Sequence, residues 1–339
     1  MFTDSHCHLR HISQKTTHFP LILKAMREEG FPFVMDIGTD AGDFMPRYNA
    51  VAKAWNKAGS IPDFVHFSAG LWPGRAAIDR RTEAMQMLEA DIQAILKRGQ
   101  TYAAIGECGI DRYWNHVGAI GTGTGDLAGE ERLFKEQLAL AERYGLAVII
   151  HSRDGFKPTL RCIDEVGWHR GVIHCFSYGK KEAEAFLERG WYLSFPGTIT
   201  YADNAETAAE IAELVGMVPD DKLLLETDAP YLAPQPVRRE INTPLNISYT
   251  YRTASEYRHC TIEHLCEIVH RNCRRLFSVP RSKIDKAVNF GTRHRRRYAY
   301  FQCPKKPIVL LQSKTVSSII YNLAYRQLAK IDIFSCRFF

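Results

Sequence analysis

The chain has 339 residues, 45% hydrophobic and 24% charged, proportions that suit a globular protein with a sizeable core. It holds no run of about 18 or more apolar residues, which argues against a membrane span. Its net charge of +6 is uneven: residues 278–339 carry thirteen Lys or Arg against Asp285 and Asp332, a net of +11 that leaves −5 for residues 1–277.

In chain order, a strand expected near residues 2–5 runs into Asp4-Ser5-His6-Cys7-His8. Side chains on a strand alternate with a period of two, so His6 and His8 are expected on one face and Cys7 on the other. No basic and apolar leader precedes this pair, and the protein is expected in the cytoplasm. Further β-rich runs fall at 33–37, 64–69, 102–106, 147–150, 171–174, 191–195 and 222–225. Helical spacing recurs between them, as over 83–97, 130–144 and 205–215, with Gly99 and Gly145 as stop signals.

Strands alternating with helices predict a parallel sheet, and eight such units predict an α/β fold of the closed (β/α)8 TIM-barrel type. His8, Glu107, His151, His174 and Asp228 then come at the ends of different strands, and those ends meet around one mouth. Imidazoles and carboxylates gathered in this way are the chemistry of a hydrolytic metal site. Cys7, Cys108 and Cys175 are expected to face outward, packed against the helices. The nine cysteines stand singly, at 7, 108, 162, 175, 260, 266, 273, 303 and 336, with no Cys-x-x-Cys pair, and read as reduced thiols.

Six stretches resemble the TatD family of metal-dependent deoxyribonucleases: Asp4-Ser5-His6-Cys7-His8-Leu9, Ile105-Gly106-Glu107-Cys108-Gly109-Ile110-Asp111, Val148-Ile149-Ile150-His151-Ser152-Arg153-Asp154, Val172-Ile173-His174-Cys175-Phe176, Glu226-Thr227-Asp228-Ala229-Pro230-Tyr231-Leu232 and Asn272-Cys273-Arg274-Arg275-Leu276-Phe277. The resemblance implies a catalytic barrel over 1–279. It also implies two divalent metal ions, one held by His6, His8 and Asp228 and the other by His151 and His174, with Glu107 bridging between them. Mg²⁺, Mn²⁺ and Zn²⁺ are not distinguishable from the sequence. Such ions activate water and neutralise a phosphoryl oxygen, and Asp228 is the candidate to take the proton of the attacking water. The implied activity is 3′-to-5′ exodeoxyribonuclease, with DNA as substrate and a part in repair or turnover; no stable protein partner follows.

Around this set, Asp111 is expected to support a ligand, and Glu226 to orient one rather than bind metal. Arg153 reads equally as a phosphate contact or as the partner of Asp154 or Asp111. Arg238, Arg239 and Asn242 lie in a Pro-rich stretch expected near the substrate, where a plain surface turn is the alternative. Ser177, Tyr178 and Tyr201 are candidate rim contacts.

Three departures from the family pattern stand out. Gly70-Leu71-Trp72-Pro73 carries an indole where Gly-x-His-Pro is usual, the connection over 118–129 is long and Gly-rich, and residues 280–339 form a basic extension without counterpart. Arg293-His294-Arg295-Arg296-Arg297 with Tyr298, Tyr300 and Phe301 there reads either as a nucleic-acid contact or as a solvated tail. Two other functions stay open. One is a metal-dependent amide or ester hydrolase on the same barrel; the other is a non-catalytic nucleic-acid-binding protein working through the tail.

Overall fold

The computed structural model describes residues 1–56, 60–116 and 124–280. Residues 118–123 of the Gly-rich connection and residues 281–339 of the basic extension lie outside the described residues. Among the described residues no helix is long and apolar enough to cross a membrane.

Eight parallel strands pair in chain order: β1 (Thr3–Cys7), β2 (Phe33–Asp36), β3 (Val65–Ala69), β4 (Ala103–Asp111), β5 (Ala147–Arg153), β6 (Gly171–Ile173), β7 (Tyr192–Phe195) and β8 (Leu223–Leu225). Helices such as Arg81–Lys97, Leu127–Tyr144 and Ala205–Met217 alternate with them, as the helical spacing predicted. Nearly every strand residue is buried, because both faces are covered, one by the barrel interior and one by the helix layer. The curl closes where the chain beyond β8 meets β1. The Asp228 amide donates to the His6 carbonyl at 2.9 Å, and the His8 amide to the Ala229 carbonyl at 2.7 Å. The fold is a TIM-barrel-like ring of eight strands.

Two strands break register where the candidate ligands sit. Between Asp4 and Cys7 on β1, and between Ile105 and Cys108 on β4, the chain advances three residues while its partner advances two. Such bulges re-aim side chains, and they carry His6 and Glu107. His8 lies past the end of β1, at the N-cap of the helix Leu9–Lys15. Simple alternation therefore does not bring His6 and His8 together; the bulge and the strand end do.

β4 and β5 run past their expected ends at Gly106 and Ile150, because they go on pairing through Gly109 with His151 and Asp111 with Arg153. Cys7 and Cys108 are buried as expected, whereas Cys175 is off the strand, half-buried, at a left-handed φ of 47°. The seven described cysteines are free.

A buried ion network holds three strand ends in place. Arg47 pairs with Asp36 at 2.8 Å and Asp43 at 3.0 Å and donates to the Ser68 carbonyl at 2.6 Å. The other oxygen of Asp36 accepts the Leu9 amide at 2.7 Å, which fixes the chain just after His8.

Gly106 has a φ of 144°, and a Cβ there would come within 2.5 Å of the Ile149 carbonyl oxygen. Gly106→Ala is expected to lower stability by roughly 1–3 kcal/mol through overpacking alone, read from urea denaturation.

Candidate metal centre

Four imidazoles and two carboxylates from β1, β4, β5 and the chain just beyond β6 and β8 converge at the C-terminal mouth. The Nε2 atoms of His6 and His8 lie 3.3 Å apart. Asp228 Oδ1 is 3.3 Å from His8 Nε2 and 3.5 Å from His6 Nε2. On the other side, His151 Nδ1 is 3.2 Å from His174 Nε2. Glu107 stands between the two pairs: Oε2 is 3.5 Å from His6, and Oε1 is 2.9 Å from His151 and 3.2 Å from His174. The rings of His6 and His174 stack at 4.0 Å, joining the halves. His6–His8–Asp228 and Glu107–His151–His174 each bring three ligand atoms within 4.8 Å of one another.

Electrostatics follow from this crowding. Burial alone would raise the Glu107 carboxyl, but the His174, His151 and His6 imidazoles hold it well below its ordinary range. Asp228 is likewise lowered, burial being outweighed by His8 and His6. Burial depresses His174, yet Glu107 and Glu226 carry it well above the usual imidazole value. His6 goes the other way, lowered by burial and by His174. Ionised carboxylates packed among imidazoles demand positive charge between them, and nitrogen lone pairs pointing at each other cannot all be satisfied by protons. The Nδ1 atoms of His6 and His8 have no hydrogen-bond partner among the described residues. Imidazole with carboxylate oxygen is the donor set of Zn²⁺, Mn²⁺ and related ions, and the residues fit a metal site.

Supporting residues are well engaged. Asp111 places Oδ2 2.7 Å from His151 Nε2, so the inward Nδ1 is the nitrogen left for the site. Its Oδ1 accepts the Tyr113 and Trp114 amides at 2.9 and 2.7 Å. Glu226 accepts the Cys175 amide at 2.7 Å and lies 3.4 Å from His174 Nδ1.

The outer candidates divide. Arg153 is exposed and stacks on Tyr113 at 3.9 Å; the ion pair with Asp154 or Asp111 does not form. Arg238 stacks on Tyr201 at 3.6 Å, and both line a cavity of about 660 Å³ with Arg239 and Gln235. Asn242 is no substrate contact: it is fully buried, donating to the Thr227 and Tyr231 carbonyls at 2.9 and 2.6 Å. It braces the loop that follows Asp228. Tyr178 is also occupied, its hydroxyl 2.8 Å from Ser152 Oγ.

Sequence reasoning passed over Asp4. Its carboxylate accepts the Thr227 hydroxyl at 2.6 Å, the Thr227 amide at 3.0 Å and the His6 amide at 3.2 Å, tying both sides of the barrel seam. Burial raises this carboxyl to about 8 despite those bonds. The signal was its place in Asp-Ser-His, two residues before a ligand candidate. His11 was missed too; it stacks on His8 at 5.1 Å and meets the Tyr231 hydroxyl at 3.3 Å.

Comparison with known proteins agrees with this geometry. The family model described as TatD-related DNase matches residues 3–278. An uncharacterized metal-dependent hydrolase, YabD of Bacillus subtilis, is 28% identical over 283 residues, covering 82% of this chain and all of the relative. A 3′-5′ ssDNA/RNA exonuclease, TatD of Edwardsiella piscicida, is 28% identical over 269 residues, covering 76% and 92%. Among solved structures, the TatD homolog YJJV from Escherichia coli superposes with a TM-score of 0.64 at 25% identity, covering 82% of this chain and 98% of that one.

Asp111→Asn keeps an acceptor for the two turn amides but removes the negative partner of His151. Divalent-cation affinity measured by calorimetry should fall by roughly 10–100-fold. Asp111→Ala should in addition lose roughly 1–3 kcal/mol of stability, because two amides lose their acceptor.

Proposed function

We propose that this chain, which belongs to the TatD-related DNase family of metal-dependent hydrolases, is a phosphodiesterase that removes nucleotides from the 3′ end of a single-stranded nucleic acid. The observation that carries the reading is the Glu107 carboxylate set between two imidazole pairs, with Asp228 beside the first pair. His6, His8 and Asp228 would hold one cation, His151 and His174 the other, with Glu107 shared. Cations so held supply a lowered water pKa and neutralise charge on the phosphoryl oxygens.

The chain's own groups supply the rest. Asp228 uses Oδ1 toward the two imidazoles, and among the described residues Oδ2 takes no donor, which leaves it to accept the proton of the attacking water. Asp111 and Glu226 hold the rings of His151 and His174 in orientation. The Arg153 guanidinium, exposed beside His151, suits a phosphate next to the one attacked. Support for a nucleic-acid substrate comes from the family and from the printed activity of the Edwardsiella piscicida relative.

The test is turnover of 5′-labelled single-stranded DNA, beside an acylated amine, by metal-stripped protein resupplied with Mg²⁺, Mn²⁺ or Zn²⁺. Stepwise, metal-dependent shortening from the 3′ end is expected; cleavage of the amide alone would move the function to that other hydrolase class. Asp228→Asn should fold and lose about 10²–10⁴-fold in kcat, the span of a lost proton acceptor, and His151→Ala should fold and lose most turnover with one of the groups that would hold the second cation. Unchanged turnover in either variant refutes the assignment. Residues 1–279 are proposed as the catalytic unit, since the Val279 amide bonds the Thr101 carbonyl at 2.9 Å and ties the end of that stretch to the barrel. Truncation after residue 279 should keep turnover within a few-fold, checked on the same substrate.

A further inference from the structure

Among the described residues, large exposed aromatic side chains sit only at the barrel mouth. They are Tyr113 at 46%, Trp114 at 53% and Tyr231 at 43% exposure. The first two ride on the turn after β4. A second indole, Trp72 in the loop after β3, stands half-buried with its ring edge-on to His151, centroids 6.1 Å apart.

The protein commits buried polar groups to holding these rings. Gln137, wholly buried, accepts the Leu71 amide at 2.8 Å and donates to the Leu71 carbonyl at 3.0 Å. Asn115, also wholly buried, donates to the Pro73 carbonyl at 2.6 Å. Both neighbours of Trp72 are thus pinned, and Asn115 ties its loop to the turn that carries Tyr113 and Trp114. That turn is held by Asp111, the carboxylate that also orients His151. The Trp72 indole N–H takes no protein acceptor among the described residues. A hydrophobic side chain needed only for packing would be covered; these are presented.

We propose that Trp72 and the Tyr113–Trp114 turn form a stacking platform for the nucleobases adjoining the bond that is hydrolysed, with the exposed Arg153 guanidinium, seated on Tyr113, taking the neighbouring phosphate. The proposal rests on the nuclease reading for its occupant. Flat aromatic faces beside a cation are how single strands are gripped without sequence preference, each stacked base contributing about tenfold or more in affinity. An indole next to His151 cannot relay a proton at neutral pH, so its use there is as a surface. Rigid mounting matters because a ring fixed in advance loses little rotamer freedom when a base lands on it.

Binding to the metal-loaded chain is measured by fluorescence anisotropy with two single-stranded oligonucleotides, both protected by phosphorothioate linkages. One has intact bases, and the other is abasic at its last two 3′ positions. The intact strand should bind about tenfold or more tightly, and that ratio should fall toward one in Trp114→Ala and in Trp72→Ala while surviving in Trp72→Phe. Circular dichroism confirms folding, and Trp114, being exposed, gives a variant that does not disturb the core. A ratio near one in the unsubstituted chain, or one unchanged in both alanine variants, overturns the platform. Unprotected strands separate this outcome from the parent reading. Base-dependent binding without any shortening removes the nuclease function and leaves the platform; equal shortening of intact and abasic ends does the reverse.

Discussion

The hydrogen bond from the Asp228 amide to the His6 carbonyl joins the two ends of the ring, and the centre exists only because it forms. His6 and His8 come from the beginning of the ring and Asp228 from its end. The same seam carries Asp4, whose carboxylate grips Thr227 on one side and the His6 amide on the other. Closure and ligand placement are therefore one event: the backbone bonds that shut the barrel also set the distance between Asp228 and the imidazoles.

Concentrating six titratable side chains in a largely dry mouth is costly, and the fold meets that cost with more polar structure rather than less. Asp36, Arg47, Asp4, Glu226 and Asp111 are all buried and all bonded to the backbone or to a ring of the centre. Each fixes an orientation that a strand end alone would leave loose. Left-handed backbone at Asp154, Cys175, Asp228 and Leu232 gathers on the same rim. That conformation is disfavoured for side chains other than Gly, and its clustering at a mouth fits a surface shaped for chemistry rather than for stability.

Much of this was legible in the sequence, for physical reasons that also set its limits. Strands buried on both faces leave dense apolar runs, so all eight could be placed to within a few residues, and the polar residues that interrupt those runs at their ends had to be the mouth. What a linear pattern does not carry is register. The bulges at His6 and Glu107 arise from pairing with β2 and β5, and no spacing within β1 or β4 announces them. The Arg47 network was invisible for the same reason, its partners being scattered over two strands and a helix N-cap. Asn242 was misread because a polar residue among prolines looks like surface, while the barrel in fact encloses it to satisfy two carbonyls. Trp72 looked like the loss of a histidine; only the pinning of its neighbours by Gln137 and Asn115 gives it a positive role.

The seam also imposes an order in time. A ribosome delivers β1 first and the Asp228 segment last of the ring, so His6 and His8 wait, unpartnered, through nearly the whole synthesis of the barrel. Closure of so non-local a contact is entropically slow. The His6–His8–Asp228 cluster is consequently complete only in the finished ring.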